Sequence, residues 1–193
     1  MWKHVAVLAV LLLGSVWIQQ APASVELVKN GGFETGNFSD WTTLPAPSYS
    51  DIYVSSYKSH SGTYGAVFGA AGSIDDAILQ SLPTVPGQLY KIDFWLTHPY
   101  DTYNNDFTAS WDGKPILSLV KTGSFVYTEY TFTLPATGSS TTIQFSGRDV
   151  TNLLFLDDVS VQAAIPEPTT LIIWSLLGTL AITIGWWRRK RVA

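Results

Sequence analysis

Through the middle of this chain, apolar and polar positions alternate with a period of two. The clearest run is Gln88 to Thr97, where Tyr90, Ile92, Phe94 and Leu96 interleave with Lys91, Asp93, Trp95 and Thr97. Successive side chains of a strand point to opposite faces, so the run predicts a strand with one face in a core and Trp95 on the other. Phe125 to Leu134 repeats the pattern, Thr142 to Ser146 adds Ile143 and Phe145, and Leu153 to Gln162 closes the series. Weaker candidates are Ile52–Ser55, Tyr64–Phe68, Ile74–Leu82, Phe107–Trp111 and Ile116–Val120. Between them the polar residues are Ser, Thr, Asn and Asp, and turns are marked by Pro86-Gly87, Asp112-Gly113, Thr122-Gly123 and Thr137-Gly138. Asp-Gly is the strongest of these hairpin signals, because both turn positions tolerate positive φ. The expectation is an all-β, two-sheet antiparallel sandwich, jelly-roll-like, with eight or so strands over residues 24–164.

The two ends break this pattern. Residues 1–23 run from a basic head (Lys3, His4) through an apolar stretch, Val5 to Ile18, to small residues before Ala23. That order predicts a secretory signal peptide, helical while it lasts. Residues 165–193 begin Ile165-Pro166-Glu167-Pro168, continue without charge from Leu171 to Trp187, and end in Arg188, Arg189, Lys190 and Arg191. At about 1.5 Å per residue the uncharged stretch nearly crosses a hydrocarbon core of about 30 Å, so it predicts a single transmembrane helix over 171–187. The basic cluster 188–191 stays cytoplasmic by the positive-inside rule, and the sandwich lies outside the cytoplasm.

Charge narrows the choice of partner. Between Ser24 and Ile165 stand six basic and fourteen acidic residues, a net charge of −8. Nucleic acid and anionic surfaces need basic patches, so neither is expected. There is no cysteine, which excludes disulfides, thiolate chemistry and Cys-ligated zinc. About 140 residues suffice to bury one core without such staples.

Three stretches carry family resemblances. Leu27-Val28-Lys29-Asn30-Gly31-Gly32-Phe33-Glu34 through Trp41 resembles the opening of jelly-roll carbohydrate-binding modules of the galactose-binding-like superfamily, and Leu156-Asp157-Asp158-Val159-Ser160-Val161 is similar to their final strand. Pro166-Glu167-Pro168 with its apolar span and basic end resembles the PEP-CTERM sorting signal. The first two imply a structural calcium ion bound by Glu34 and one of Asp157 or Asp158. The third implies recognition by an exosortase, processing near Pro-Glu-Pro, and a cell-surface or extracellular-matrix destination.

Calcium takes six to eight hard oxygens, which carboxylates and turn carbonyls supply. Asp157 and Asp158 diverge on a regular strand, so both can ligate only if a bulge intervenes. The alternative is that Glu34 accepts hydrogen bonds at the sheet edge and the aspartates are solvated or capped in the same way. A glycan site needs an aromatic platform flanked by amide and carboxylate groups. The loop His98 to Asp106 has that composition, which nominates Tyr100, Tyr103 and Asn104, with Trp95 before it and Trp111 beyond. Trp41 is expected in the core. Catalysis has no support: Asp75-Asp76 and Asp157-Asp158 are adjacent pairs that diverge, and His98 has no identifiable serine partner. The expected function is therefore non-enzymatic. It is binding of extracellular polysaccharide, or alternatively a structural surface role that meets proteins and no sugar.

Overall fold

A computed structural model describes residues 24–164 together with Leu177 and Gly178, which are helical. The expected signal segment, and the sorting tail apart from those two residues, lie outside the described residues. Residues 24–164 belong to one compact unit.

Ten strands make up that unit: β1 Thr42–Leu44, β2 Ile52–Ser55, β3 Gly65–Phe68, β4 Asp76–Pro83, β5 Leu89–His98, β6 Asn105–Trp111, β7 Lys114–Val120, β8 Phe125–Pro135, β9 Ser140–Asp149 and β10 Leu154–Ala163. They form two five-stranded antiparallel sheets, ordered β1-β4-β9-β6-β7 and β2-β3-β10-β5-β8. The sandwich class is as expected, with two differences of detail. Strand β1 is new, being three residues long with no alternation to betray it. Strand β9 extends from Ser140 to Asp149, because buried Thr141, Gly147 and Asp149 continue the inward face in residues that are not apolar.

Alternation sets the core. Ile92, Phe94 and Leu96 of β5 face Phe107, Ala109 and Trp111 of β6 and Ile143 and Phe145 of β9, all buried. Phe94 meets Phe145 edge-on with ring centroids 5.0 Å apart, a favoured aromatic geometry. Trp41 is core as expected, stacked on Phe33 at 5.8 Å, with its indole N–H donated to the Asn30 carbonyl. The Asp112-Gly113 turn has φ of 53° and 73°, both left-handed, and closes the β6–β7 hairpin.

Odd-numbered strands run toward one end of the sandwich and even-numbered strands leave from it. Residues 45–51, 69–75, 99–104, 121–124 and 150–153 therefore gather there, and this loop end is where the functional argument concentrates.

Candidate functional site

The loop end is fastened by buried polar groups. His98, the last residue of β5, pairs with Asp149, the last of β9, and both side chains are fully buried. His98 Nε2 lies 2.8 Å from Asp149 Oδ2, and Nδ1 lies 3.2 Å from the Gly123 carbonyl oxygen. Asp149 Oδ1 accepts the backbone N–H groups of Thr151 and Asn152, and the Thr102 hydroxyl donates to Oδ2. Asn105 adds a second clamp, donating to the carbonyls of Thr102 and Thr122 and accepting from Thr122. Asp76, completely buried, holds the remaining wall by accepting from Ala46 N, Ser50 Oγ and Asp51 N at 2.8, 2.5 and 3.0 Å.

A cavity of about 430 Å³ opens among these loops. Tyr49, Ser50 and Asp51 line it on one side, Tyr100 and Asn152 on others, and Asp149 reaches its wall. Tyr49 is 76% exposed and Tyr103 59%. The Tyr100 hydroxyl lies in hydrogen-bond reach of Tyr57, and its phenol is pushed up, chiefly by burial and then by Tyr57. The Tyr103 phenol is pushed up chiefly by its hydrogen bond to Asp101. Neutral phenols both donate and accept, while their rings offer apolar faces; sugars present C–H faces ringed by hydroxyls and match that combination. Of the charged side chains lining the cavity, both are carboxylates, Asp51 and Asp149.

The same loop, 99–104, borders a second cavity of about 550 Å³ on the outside of β5 and β8. It is lined by Pro99, Thr97, Phe125, Val126, Tyr127 and Lys58 among others. Its one phenol is engaged, since the Tyr127 hydroxyl donates to the Lys58 carbonyl. A third hollow of about 490 Å³ lies on the outer face of the other sheet, between Leu44, Ile74, Asp75, Gln144 and Ser146. It has no aromatic wall, and of the two cavities with aromatic walls the loop end is the one that presents an exposed tyrosine, Tyr49.

Trp95 does face outward, but the residues between β2 and β3 lie over it as a strap. The His60 ring stacks on the Trp95 ring with centroids 3.8 Å apart and planes 11° apart. Asp158 Oδ2 holds His60 Nδ1 at 2.7 Å, and Tyr127 meets the imidazole edge-on at 5.2 Å. Trp95 thus already has a ring on the face that a sugar would use. Trp111 requires correction: only 4% exposed, it packs inward against Tyr90 and donates its indole N–H to Pro135 O. The alternation Phe107, Ala109, Trp111 places it in the core and denies it a platform role. Asn104 is exposed, and its carbonyl accepts from Val150 N. The structure therefore brings Tyr100, Tyr103 and Asn104 to the loop end and leaves Trp95 and Trp111 outside the cavity. Sequence reasoning missed Tyr49, Asp51 and Asn152, which come from distant segments, and His60, which no spacing signals.

Glu34, Asp157 and Asp158 do come together, around the strap. The β10 register breaks between Asp157 and Ser160, and Asp158 sits at φ 48°, so a bulge turns both aspartates to the same side. Glu34 Oε1 accepts the N–H groups of Thr63 and Tyr64, Asp157 Oδ2 those of His60 and Ser61, and Asp157 Oδ1 that of Asp158. Asp158 Oδ1 accepts the Ser61 hydroxyl. In this arrangement the three carboxylates are engaged in hydrogen bonds, the alternative that the sequence left open. Their oxygens face N–H and O–H donors, and among the described residues no three His, Cys, Asp or Glu side chains are grouped so as to hold a metal ion. Burial raises the Asp157 carboxyl to about 6, against the opposing pull of its backbone donors.

Among the described residues His98 does not form a nucleophilic constellation either. Thr102 and Asp149 both address Nε2 of His98, whereas a nucleophile and an orienting acid must use opposite ring nitrogens. Asp75 and Asp76 diverge as expected. Asp76 is buried, while Asp75 faces out toward Asp106 and Arg148, its carboxyl raised to about 6 by burial and then by the hydrogen bond with Asp106.

Comparison with known proteins bears on this geometry. No curated protein matches the sequence. Among solved structures, a module called TmCBM61, solved in complex with β-1,4-galactotriose, superposes with TM-score 0.58 at 19% identity, over 73% of this chain and all of that one. The CBM22-1 xylan-binding domain of Paenibacillus barcinonensis Xyn10C gives 0.54 at 13% identity, over 77% and 100%. The K3 cleaved adhesin domain of Lys-gingipain from Porphyromonas gingivalis gives 0.57 at 16%, over 73% and 99%. At such identities the likeness shows the fold alone. The model of the CBM_4_9 family, described as a carbohydrate binding domain, matches residues 25–151, and the chain belongs to that family.

Proposed function

We propose that this protein is a non-catalytic surface module that captures neutral extracellular polysaccharide at the loop-end cavity. The observation that carries the reading is the aromatic wall, Tyr49 and Tyr100 beside Asp51 and Asn152, in a chain of a carbohydrate-binding family. Neutral sugar is favoured because the charged lining is acidic and the domain carries −8, so a uronate-bearing polymer meets repulsion. The test is thermal melting of the full-length chain with xylan, galactan and polygalacturonate, since binding to the native state raises the melting point. A rise with a neutral polymer, lost in Tyr100→Ala, supports the reading. A rise with polygalacturonate alone, or a rise that Tyr100→Ala leaves intact, overturns the site or the ligand class.

The address belongs to the same proposal. Residues 1–23 export the chain, and the tail from Ile165, with Pro166-Glu167-Pro168, the apolar span 171–187 and the basic residues Arg188 to Arg191, tethers a precursor in the membrane for an exosortase. The mature form then serves at the cell surface or in the extracellular matrix. Alanine at Pro166, Glu167 and Pro168 should leave an unprocessed membrane form; normal maturation of that variant contradicts the sorting reading.

A further inference from the structure

We propose that His98 is the positioning residue of the loop-end cavity, a buried imidazolium whose two N–H groups hold the cavity loops together and whose proton makes carbohydrate capture pH-dependent. This rests on reading that cavity as the carbohydrate site.

The protonation state follows from the partners. The Gly123 carbonyl opposite Nδ1 has no hydrogen to give, so Nδ1 must be the donor there. Opposite Nε2 stands Asp149 Oδ2, 2.8 Å away. Asp149 accepts Thr151 N and Asn152 N on Oδ1, and on Oδ2 it accepts the Thr102 hydroxyl, whose oxygen also lies 3.3 Å from Nε2, so that a hydrogen on Nε2 has two oxygen acceptors. Nε2 therefore also donates, and a ring donating from both nitrogens is the cation.

Three loops depend on this ring. Gly123 belongs to the β7–β8 connection, Asp149 opens the β9–β10 connection, and His98 begins the loop that carries Tyr100, Tyr103 and Asn104. The titratable and charged groups against it are Asp149 from β9 and Tyr100 from its own loop with ring centroids 6.3 Å apart, while Asp101 and the Tyr103 hydroxyl lie beside its partner Gly123. Phe125 of β8 closes the remaining side at 6.2 Å. Loss of the proton leaves either the Gly123 carbonyl without its donor or the Nε2 lone pair facing Asp149 Oδ2, the His98 and Asp149 side chains both being fully buried. An unpaired buried acceptor is costly, so the loops separate to admit water. The ring itself does not line the cavity; it acts through Asp149 and Tyr100, which do.

Two measurements on the full-length chain test this. The first is nitrogen NMR of the histidine side chains near pH 7. Both His98 nitrogens should show the protonated, imidazolium signature; a neutral His98 ring overturns the proposal whether or not any glycan binds. The second is affinity for xylan and galactan between about pH 5 and 9, for wild type and His98→Gln. Wild type should bind about fivefold or more weakly at the alkaline end, and His98→Gln should bind weakly with a flat profile. An equal slope in both proteins overturns the proposal. Absence of binding at every pH defeats the carbohydrate reading instead, and the NMR result then still decides the state of the ring.

Discussion

Asp76 gives the sharpest test of how the loop-end cavity is built. Its buried carboxylate accepts two backbone N–H groups and one hydroxyl from residues 46–51, the wall that carries Tyr49 and Asp51. Hydrogen bonds to an ionised group contribute about 1.5–3 kcal/mol each. Asp76→Ala removes three. Ser50 and Asp51 are exposed and recover water, whereas Ala46 is buried and its N–H is left unpaired. The net loss comes to about 3–4 kcal/mol, or roughly 10–15 °C in melting temperature for a domain of this size. Thermal unfolding followed by circular dichroism reads the loss, and hydrogen exchange should show the amides of Ala46 and Asp51 opening before those of β5 or β9. Affinity for a neutral polysaccharide should fall with them. A melting point lowered by less than roughly 3 °C, or exchange unchanged at Ala46, refutes the reasoning.

Asp75 and the strap give two more tests. Burial raises the Asp75 carboxyl to about 6 in the folded state, above its ordinary range, so the folded chain holds a proton that the unfolded chain gives up. Its contribution to stability is then full below the ordinary carboxylate range and is lost as pH rises to about 6. Asp75→Asn should flatten that part of the stability profile and, after discounting for solvent exposure, gain on the order of 1 kcal/mol at pH 7; an unchanged slope between pH 4 and 6 contradicts it. At the strap, excess calcium or a chelator should leave the melting temperature of the full-length chain unchanged, whereas His60→Ala should lower it and increase acrylamide quenching of Trp95. A calcium-dependent rise would return Glu34, Asp157 and Asp158 to a metal site.

Much of the fold was legible from period-two alternation. Nine of the ten strands coincide with runs such as Tyr90-Ile92-Phe94-Leu96, and the Asp112-Gly113 turn has the backbone that its residues favour. Strand β1 was illegible because three residues carry no period. The site was half legible. Aromatic and amide composition pointed to the loop after β5, and Tyr100 does line the cavity. Composition could not separate Trp95, covered by His60, from an open platform, nor see that Trp111 continues the inward face of β6. Tyr49, Asp51 and Asn152 join Tyr100 only because alternate strands end together, which is a property of topology. The two aspartates of β10 share a side because of a bulge that the possibility of one could raise but no residue pattern could fix.

The most direct test of the central claim is amide chemical-shift mapping of the full-length chain with xylo- and galacto-oligosaccharides. The account predicts shifts confined to residues 49–51, 69–71, 98–104 and 149–153, with saturable binding that Tyr100→Ala weakens. Shifts centred instead on the outer face around Leu44, Gln144 and Ser146 would move the site to the opposite sheet, and no shifts with any glycan would contradict carbohydrate capture and favour the structural alternative.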